Sequence, residues 1–259
     1  MKLPRAPRVL LYDLETSLEA VTVFSLKYND FIDPDAIIRE RTIICASWLW
    51  LGEKTVHSVS VLDNPRLFAK DPANDRHVVE VLHGIMSQAD VVVGHNSDNF
   101  DDKYLKTRIL FHGLPALPPI PSIDTYKVAK SHLLFNSNKL NYIGKYLGVG
   151  QKKHTTSGLW MRAFNGERKA IQEMVAYNKQ DVRLLERVFL KLRPYIANHL
   201  NRQLWGQTGC PRCGSHRVQS RGLHRAISRV YRRWNCQACG GWYRSAVNDK
   251  TFHASSRIL

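Results

Sequence analysis

Apolar and polar positions along the chain change period several times, and each change marks an element. Residues 8–14 (RVLLYDL) are almost continuously apolar and end in acids, the pattern of a buried strand. Residues 42–51 and 55–62 read as two further strands, parted by a turn at Gly52-Glu53-Lys54. Over 74–89 the period becomes helical, with Val78, Val79, Leu82, Ile85 and Met86 on one face. Residues 90–94 form a short buried strand, and 99–111 return to helical spacing. The proline run at 115–121 cannot continue a helix. Short helices follow around 125–132, 139–147 and 159–164. A long helix is then predicted from Glu167 to about Leu192, ended by Pro194. This order predicts an α/β fold, a sheet covered by helices.

The pattern breaks near 198–208, where the chain becomes rich in arginine and glycine and pairs its cysteines. Two domains are expected, 1–200 and 201–259. Charge follows the same boundary. Of a net +16, the last 59 residues carry +10 and hold a single acid, Asp249. A basic segment so concentrated suits a polyanionic partner, because phosphate contacts release counterions. No run of about 18 apolar residues could span a bilayer, and the N-terminus has no secretory leader pattern. No membrane role is expected, and the expected location is the cytoplasm, including the nucleoid or a phage-infected cytoplasm.

Cys210-Pro-Arg-Cys213-Gly and Cys236-Gln-Ala-Cys239-Gly match a tetrahedral four-thiolate zinc site. A closed set of four thiolates leaves no open position, so one structural Zn²⁺ is expected. His216, His224 and His253 are then unnecessary as ligands. Arg217, Arg221, Arg225, Arg229, Arg232, Arg233 and Arg244 lie within or after the ribbon pattern. They suit phosphate contacts, whereas Trp234 and Trp242 read first as the ribbon's small core.

Three other segments carry acids. Strand alternation puts Asp13 and Glu15 on one face. Residues 94–102 (GHNSDNFDD) follow a strand and open a helix, where Asp98 reads as a helix cap and Asp102 as favouring the helix dipole. On the long helix, Tyr177 and Asp181 share a face at i and i+4, and Asp181 alone reads as an ion-pair partner of Lys179 or Arg183. Together the acids suit hydrolysis of a phosphodiester, which two hard cations about 4 Å apart can support. Lys152, Lys153 and His154 read first as a solvated basic loop, with substrate phosphates as the alternative.

D-x-E-T at Asp13–Thr16, H-N-x-x-x-F-D at His95–Asp101 and Y-x-x-x-D at Tyr177–Asp181 resemble the three motifs of the DEDDy 3′–5′ exonucleases of the ribonuclease H-like superfamily. The likeness is strongest to the proofreading domain of family B DNA polymerases and its stand-alone bacterial and phage relatives. It covers residues 8–192, including Ile123-Asp124-Thr125-Tyr126 and the stretch 138–148. The resemblance implies a ribonuclease H-like mixed sheet flanked by helices. It implies two Mg²⁺ or Mn²⁺ held by Asp13, Glu15, Asp101 and Asp181, with Asp13 bridging both. Asp98 and Asp102 leave the register of the second motif open. Tyr177 would orient the attacking water. Thr16, Asn96 and Phe100 would contact the terminal nucleotide.

The expected activity is 3′–5′ exonucleolytic release of nucleoside 5′-monophosphates from a single-stranded DNA 3′ end, with replication or repair proteins as partners. Two alternatives stand beside it: a structure- or RNA-directed nuclease on the same fold, and a non-catalytic nucleic-acid-binding zinc ribbon.

Overall fold

The computed structural model describes residues 5–23, 25, 32–197, 199–227 and 229–247. The chain divides into two compact units, Arg8–Leu192 and a second made of Met1–Pro7 with Arg193–Leu259.

In the first unit the strands are β1 (Val9–Thr16), β2 (Ala20–Val21), β3 (Ile37–Arg39), β4 (Ile43–Trp50), β5 (His57–Ser60), β6 (Val91–Gly94) and β7 (Ser122–Asp124). The helices are α1 (Pro65–Lys70), α2 (Arg76–Met86), α3 (Asp101–Phe111), α4 (Thr125–His132), α5 (Leu140–Tyr146), α6 (Leu159–Phe164) and α7 (Arg168–Leu192). Five strands form one mixed sheet in the order β5-β4-β1-β6-β7. β1 runs antiparallel to β4 and parallel to β6, and β6 is parallel to β7. This is the expected ribonuclease H-like arrangement of mixed sheet and flanking helices.

β1 lies at the centre, and its alternation sorts its side chains. Leu10, Tyr12 and Leu14 enter an apolar core with Ala46, Trp48, Val79, Leu82 and Leu105. Asp13 and Glu15 therefore leave the sheet on the opposite face. α7 packs on β1 and β4, laying its buried stripe, Met174, Asn178, Asp181 and Leu185, along the sheet.

A buried polar knot fixes the start of β4, which pairs with the end of β1. Asp75, wholly buried, accepts the Ile43 amide at 3.0 Å, two bonds from Arg108 at 2.7 Å and one from His112 at 2.7 Å. Every carboxylate lone-pair direction has a donor, which is what makes a buried charge tolerable. The knot ties the start of β4 to α2 and α3.

Three elements were not expected from the pattern: the β2–β3 ribbon, α1 and the three-residue β7, which follows the proline run directly. The expected cap is also corrected. The N-cap of α3 is Phe100, with no side-chain cap bond. Asp98 instead accepts from Ser122 Oγ at 2.5 Å and Lys127 Nζ at 2.8 Å, tying the loop before α3 to β7 and α4. Asp102 lies in the first turn of α3, as expected, and pairs with Lys106 at 2.7 Å.

The second unit holds β8 (Val218–Arg225), β9 (Val230–Cys236) and β10 (Trp242–Ala246), antiparallel in the order β10-β9-β8. Each CxxC pair sits on a matching turn, with the amide of Gly214 bonded to Cys210 O at 2.8 Å and that of Gly240 to Cys236 O at 2.9 Å. Both glycines have φ in the left-handed region, +80° and +72°, which a side chain would strain. Among the described residues, no helix is long and apolar enough to cross a membrane.

Candidate metal centres

The acids of the first unit arrive from three elements. β1 supplies Asp13 and Glu15, and α7, packed on the same face of the sheet, supplies Asp181. One carboxylate oxygen from each lies within 4.8 Å of the others. Asp101, at the start of α3, is not in that trio. It turns toward β1, accepting the Leu14 amide at 3.2 Å, and faces Asp13 electrostatically.

Asn178, one turn before Asp181 and fully buried, donates to Asp13 Oδ2 at 2.7 Å. It thereby fixes the carboxylate at the centre of the group. The motif Y-N-x-x-D contained this residue, and its place at i−3 from Asp181 on the apolar stripe was the available signal.

Lys152 overturns the reading of its loop. Its Nζ lies 2.5 Å from Asp181 Oδ2 and 3.1 Å from the Tyr177 hydroxyl. Lys153 and His154 are exposed, as expected. The loop is anchored through the Lys152 amide to Asn141 Oδ1 at 2.8 Å and through Thr156 to Glu173 at 2.8 and 2.9 Å. Asp181 thus pairs with Lys152 rather than with Lys179 or Arg183, and Arg183 pairs with Glu186 at 2.8 Å.

The electrostatics follow from crowding. Burial, then the charges of Asp101, Glu15 and Asp181, hold Asp13 well above the usual carboxylate range. Burial and Asp181 push Glu15 up to about 8. Burial lifts Asp101 to about 6 against the pull of the Leu14 amide, and burial raises Asp181 despite Lys152. Burial opposes the Lys152 charge, but Asp181 outweighs it and keeps the ammonium above its ordinary value. Burial and Asp181 push Tyr177 up to about 12, so its hydroxyl is a neutral donor at ordinary pH.

Asp181 Oδ1 is buried with no hydrogen-bond partner. Crowded carboxyls, an orphan carboxylate oxygen and an inserted ammonium all mark a place where positive charge is wanted. An all-oxygen donor set fits a hard divalent ion.

The three expected nucleotide contacts lie around this group. Thr16 closes β1 at a register shift opposite Ile43. Asn96 has a left-handed φ of 62°, held by its amide bond to Asp124 Oδ1 at 2.8 Å. It lines a cavity of about 440 Å³ with Tyr126, Lys139, Asn141 and Lys152. Phe100 stacks on Tyr104, ring centroids 5.8 Å apart. His95 bonds Thr125 Oγ1 and Asn138 O, both at 2.9 Å; burial depresses it to about 4, so it serves as a neutral strut. Asp124 and His95 are supports that periodicity could not reveal.

In the second unit the four cysteine sulfurs lie within 4.8 Å of one another. Cys210 and Cys239 are 3.8 Å apart, and Cys213 and Cys236 are 3.7 Å apart. A tetrahedron with metal–sulfur bonds of about 2.3 Å has edges of about 3.8 Å, so this cage fits one four-coordinate ion. Burial opposes the Cys236 thiolate, yet the amides of Cys239 and Ala238 bring it down to about 7. His216 and His224 lie outside the cage, and His253 and Asp249 lie outside the described residues. Trp242 is corrected from core to surface, being 53% exposed. Trp234, half-buried against Tyr243, keeps the expected packing role.

A family model described as RNase_H superfamily matches residues 39–193. Asp101, Tyr177 and Asp181 fall inside that span, and Asp13 and Glu15 precede it. Among solved structures, the chain is similar to the family B DNA polymerase from the hyperthermophilic archaeon Pyrobaculum calidifontis, with a TM-score of 0.55 and 18% identity. That alignment covers 82% of this chain but only 27% of the polymerase, a likeness of fold. No curated protein matches the sequence.

Proposed function

The chain belongs to the ribonuclease H superfamily, and from that premise we propose that it is a metal-dependent 3′–5′ exonuclease acting on single-stranded DNA ends. The observation that carries the proposal is the convergence of Asp13, Glu15 and Asp181 within 4.8 Å, backed by Asp101 and faced by the Tyr177 hydroxyl. In this reading residues 1–200 are the catalytic domain and 201–259 a nucleic-acid-binding zinc ribbon.

Two Mg²⁺ or Mn²⁺ bound there would supply a nucleophile at neutral pH and offset charge on the leaving oxygen. The chain's own residues do the rest. Asn178 holds the Asp13 carboxylate in place between the other acids. Tyr177 stays protonated and presents an O–H donor that can orient the attacking water. Lys152, bound to that same hydroxyl, fixes its direction and keeps a positive charge beside Asp181. Thr16, Asn96 and Phe100 are proposed to hold the terminal nucleotide. The four cysteines are assigned one structural Zn²⁺, since thiolates favour a softer ion than carboxylates do.

A panel of 5′-labelled DNA and RNA, single- and double-stranded, tests the assignment. With Mg²⁺ or Mn²⁺, single-stranded DNA should give a ladder of shortened products that EDTA suppresses. Discrete internal fragments, or a preference for RNA, would replace the exonuclease reading with an endonuclease or RNA-processing one. Absence of any metal-dependent cleavage would leave only a binding protein.

A further inference from the structure

The ribbon sheet has two faces, and strand alternation assigns side chains to each. On one face Trp234 stacks on Tyr243, with centroids 6.3 Å and planes 15° apart. Its indole N–H donates to Ser245 Oγ at 3.0 Å, and Cys236 shares that face. These aromatics are used up in packing.

The opposite face is built differently. The register sets Trp242 beside Asn235, Arg244 beside Arg233, and Ala246 and His224 on either side of Tyr231. Trp242 is 53% exposed, and Arg233 and Arg244 are exposed as well. The Arg244 guanidinium lies 4.6 Å from the Tyr231 ring centroid. Between 201 and 247 there are nine arginines and no acid, so no carboxylate of this segment can neutralise the face. An open indole beside guanidinium groups that no carboxylate among the described residues pairs with is a poor way to fold a protein and a good way to hold a polyanion with flat bases.

We infer that the face formed by Trp242, Arg233, Arg244 and Tyr231 binds single-stranded nucleic acid. Trp242 and Tyr231 are four ladder positions apart, about 13 Å, with the arginine pair between them. Bases stack on the two rings while phosphates meet the guanidinium groups. A duplex keeps its bases stacked on one another and has none to offer Trp242, so the strand bound here is single. This inference rests on the nucleic-acid-binding role proposed for residues 201–259; it requires the cysteine-held ion only for the ribbon's fold and does not depend on the carboxylate cluster, so it stands or falls apart from cleavage.

The test is fluorescence anisotropy of a labelled oligothymidylate of about 20 residues against the full zinc-loaded chain, without added Mg²⁺ or Mn²⁺. Trp242→Ala should weaken single-strand binding about ten-fold, the loss typical of one stacked base, and Trp242→Phe should recover most of it. The double change Arg233→Ala and Arg244→Ala should lower the salt slope by about 1.4, two phosphate contacts at about 0.7 each on a single strand. Duplex binding should be unchanged by Trp242→Ala. The inference is overturned if Trp242→Ala, with normal zinc content, binds the oligothymidylate like the wild type. It is equally overturned if that variant loses duplex and single strand by the same factor.

Discussion

Asp13, Glu15 and Asp181 are pressed together by a sheet and helices that bury dozens of apolar side chains around them. Cys210, Cys213, Cys236 and Cys239 stand in a segment where, among the described residues from 199 to 247, only Cys210, Cys236 and Gly241 are buried. In the first unit the fold holds the ligands against their mutual repulsion, and the metal would relieve a strain the fold already tolerates. In the second the ligands hold the fold, because the ribbon has almost no core of its own. The same event, losing an ion, should therefore have opposite consequences in the two places.

The largest effect is expected in the ribbon. Structural zinc sites are worth roughly 10–16 kcal/mol of apparent binding energy in small domains, far more than a three-stranded sheet can supply alone. Cys236→Ser should unfold β8–β10, so that the amides of Tyr231 and Trp234 lose hydrogen-exchange protection while those of α7 keep theirs. Protection of β9 in a zinc-free variant would show that the ribbon folds without its ion, and the comparison would fail.

At the carboxylate site the signs separate. Asp13→Asn should lower cleavage about a thousand-fold, since several kcal/mol of transition-state stabilisation pass through the ions. The same substitution should raise the melting temperature of the metal-free protein, by about 2–4 °C for each kcal/mol of repulsion removed. The introduced amide would still accept from Asn178 through its oxygen, so the local hydrogen bond survives the change. A variant that is both inactive and less stable would mean that Asp13 serves the fold instead of the ions.

A smaller loss is expected one step away. Tyr177→Phe removes the hydroxyl that meets Lys152 at 3.1 Å and should cost about 10–100-fold in kcat with KM little changed, the usual scale for an orienting partner. Lys152→Ala should cost a similar factor and also lower metal-free stability, because Asp181 is left buried without its ion pair. Adding Mn²⁺ should restore that stability but not the rate. Recovery of the rate by Mn²⁺ would reduce Lys152 to a placeholder for the ion.

How much of this was legible follows the range of each interaction. Asp13 and Glu15 could be paired because alternation on a strand is local, and Tyr177 and Asp181 because one helical turn is local. The cysteine cage was readable from two short spacings. Lys152 was not readable. It sits in an irregular loop, and its bond to Asp181 spans 29 residues and depends on how the loop lies on α7. A lysine in such a stretch is more often solvated. The role of Asp98 was hidden for the same reason: its partners Ser122 and Lys127 come from β7 and α4, and β7 is too short to leave a periodicity. The exposure of Trp242 was hidden because burial of tryptophan is a statistical rule, and the exception marks a surface with a use.

The mildest prediction is also the one that reads the repulsion directly. In the metal-free protein Glu15 titrates near 8 and Asp101 near 6, whereas in an unfolded chain ordinary carboxyls lose their protons near 4. Between those limits the folded state binds more protons than the unfolded one. Stability therefore falls as pH rises, from its full value below about pH 4 to its lowest above about pH 8. A divalent cation competes with those protons, so its affinity should rise across the same window. The melting-temperature gain from millimolar Mn²⁺ should be near zero at about pH 5.5 and reach several degrees at about pH 8.5. With its four thiolates filled by Zn²⁺ beforehand, the ribbon should not contribute to that profile. A gain independent of pH in the wild type, or one that persists unchanged in Asp13→Asn, would place the Mn²⁺ elsewhere on the protein.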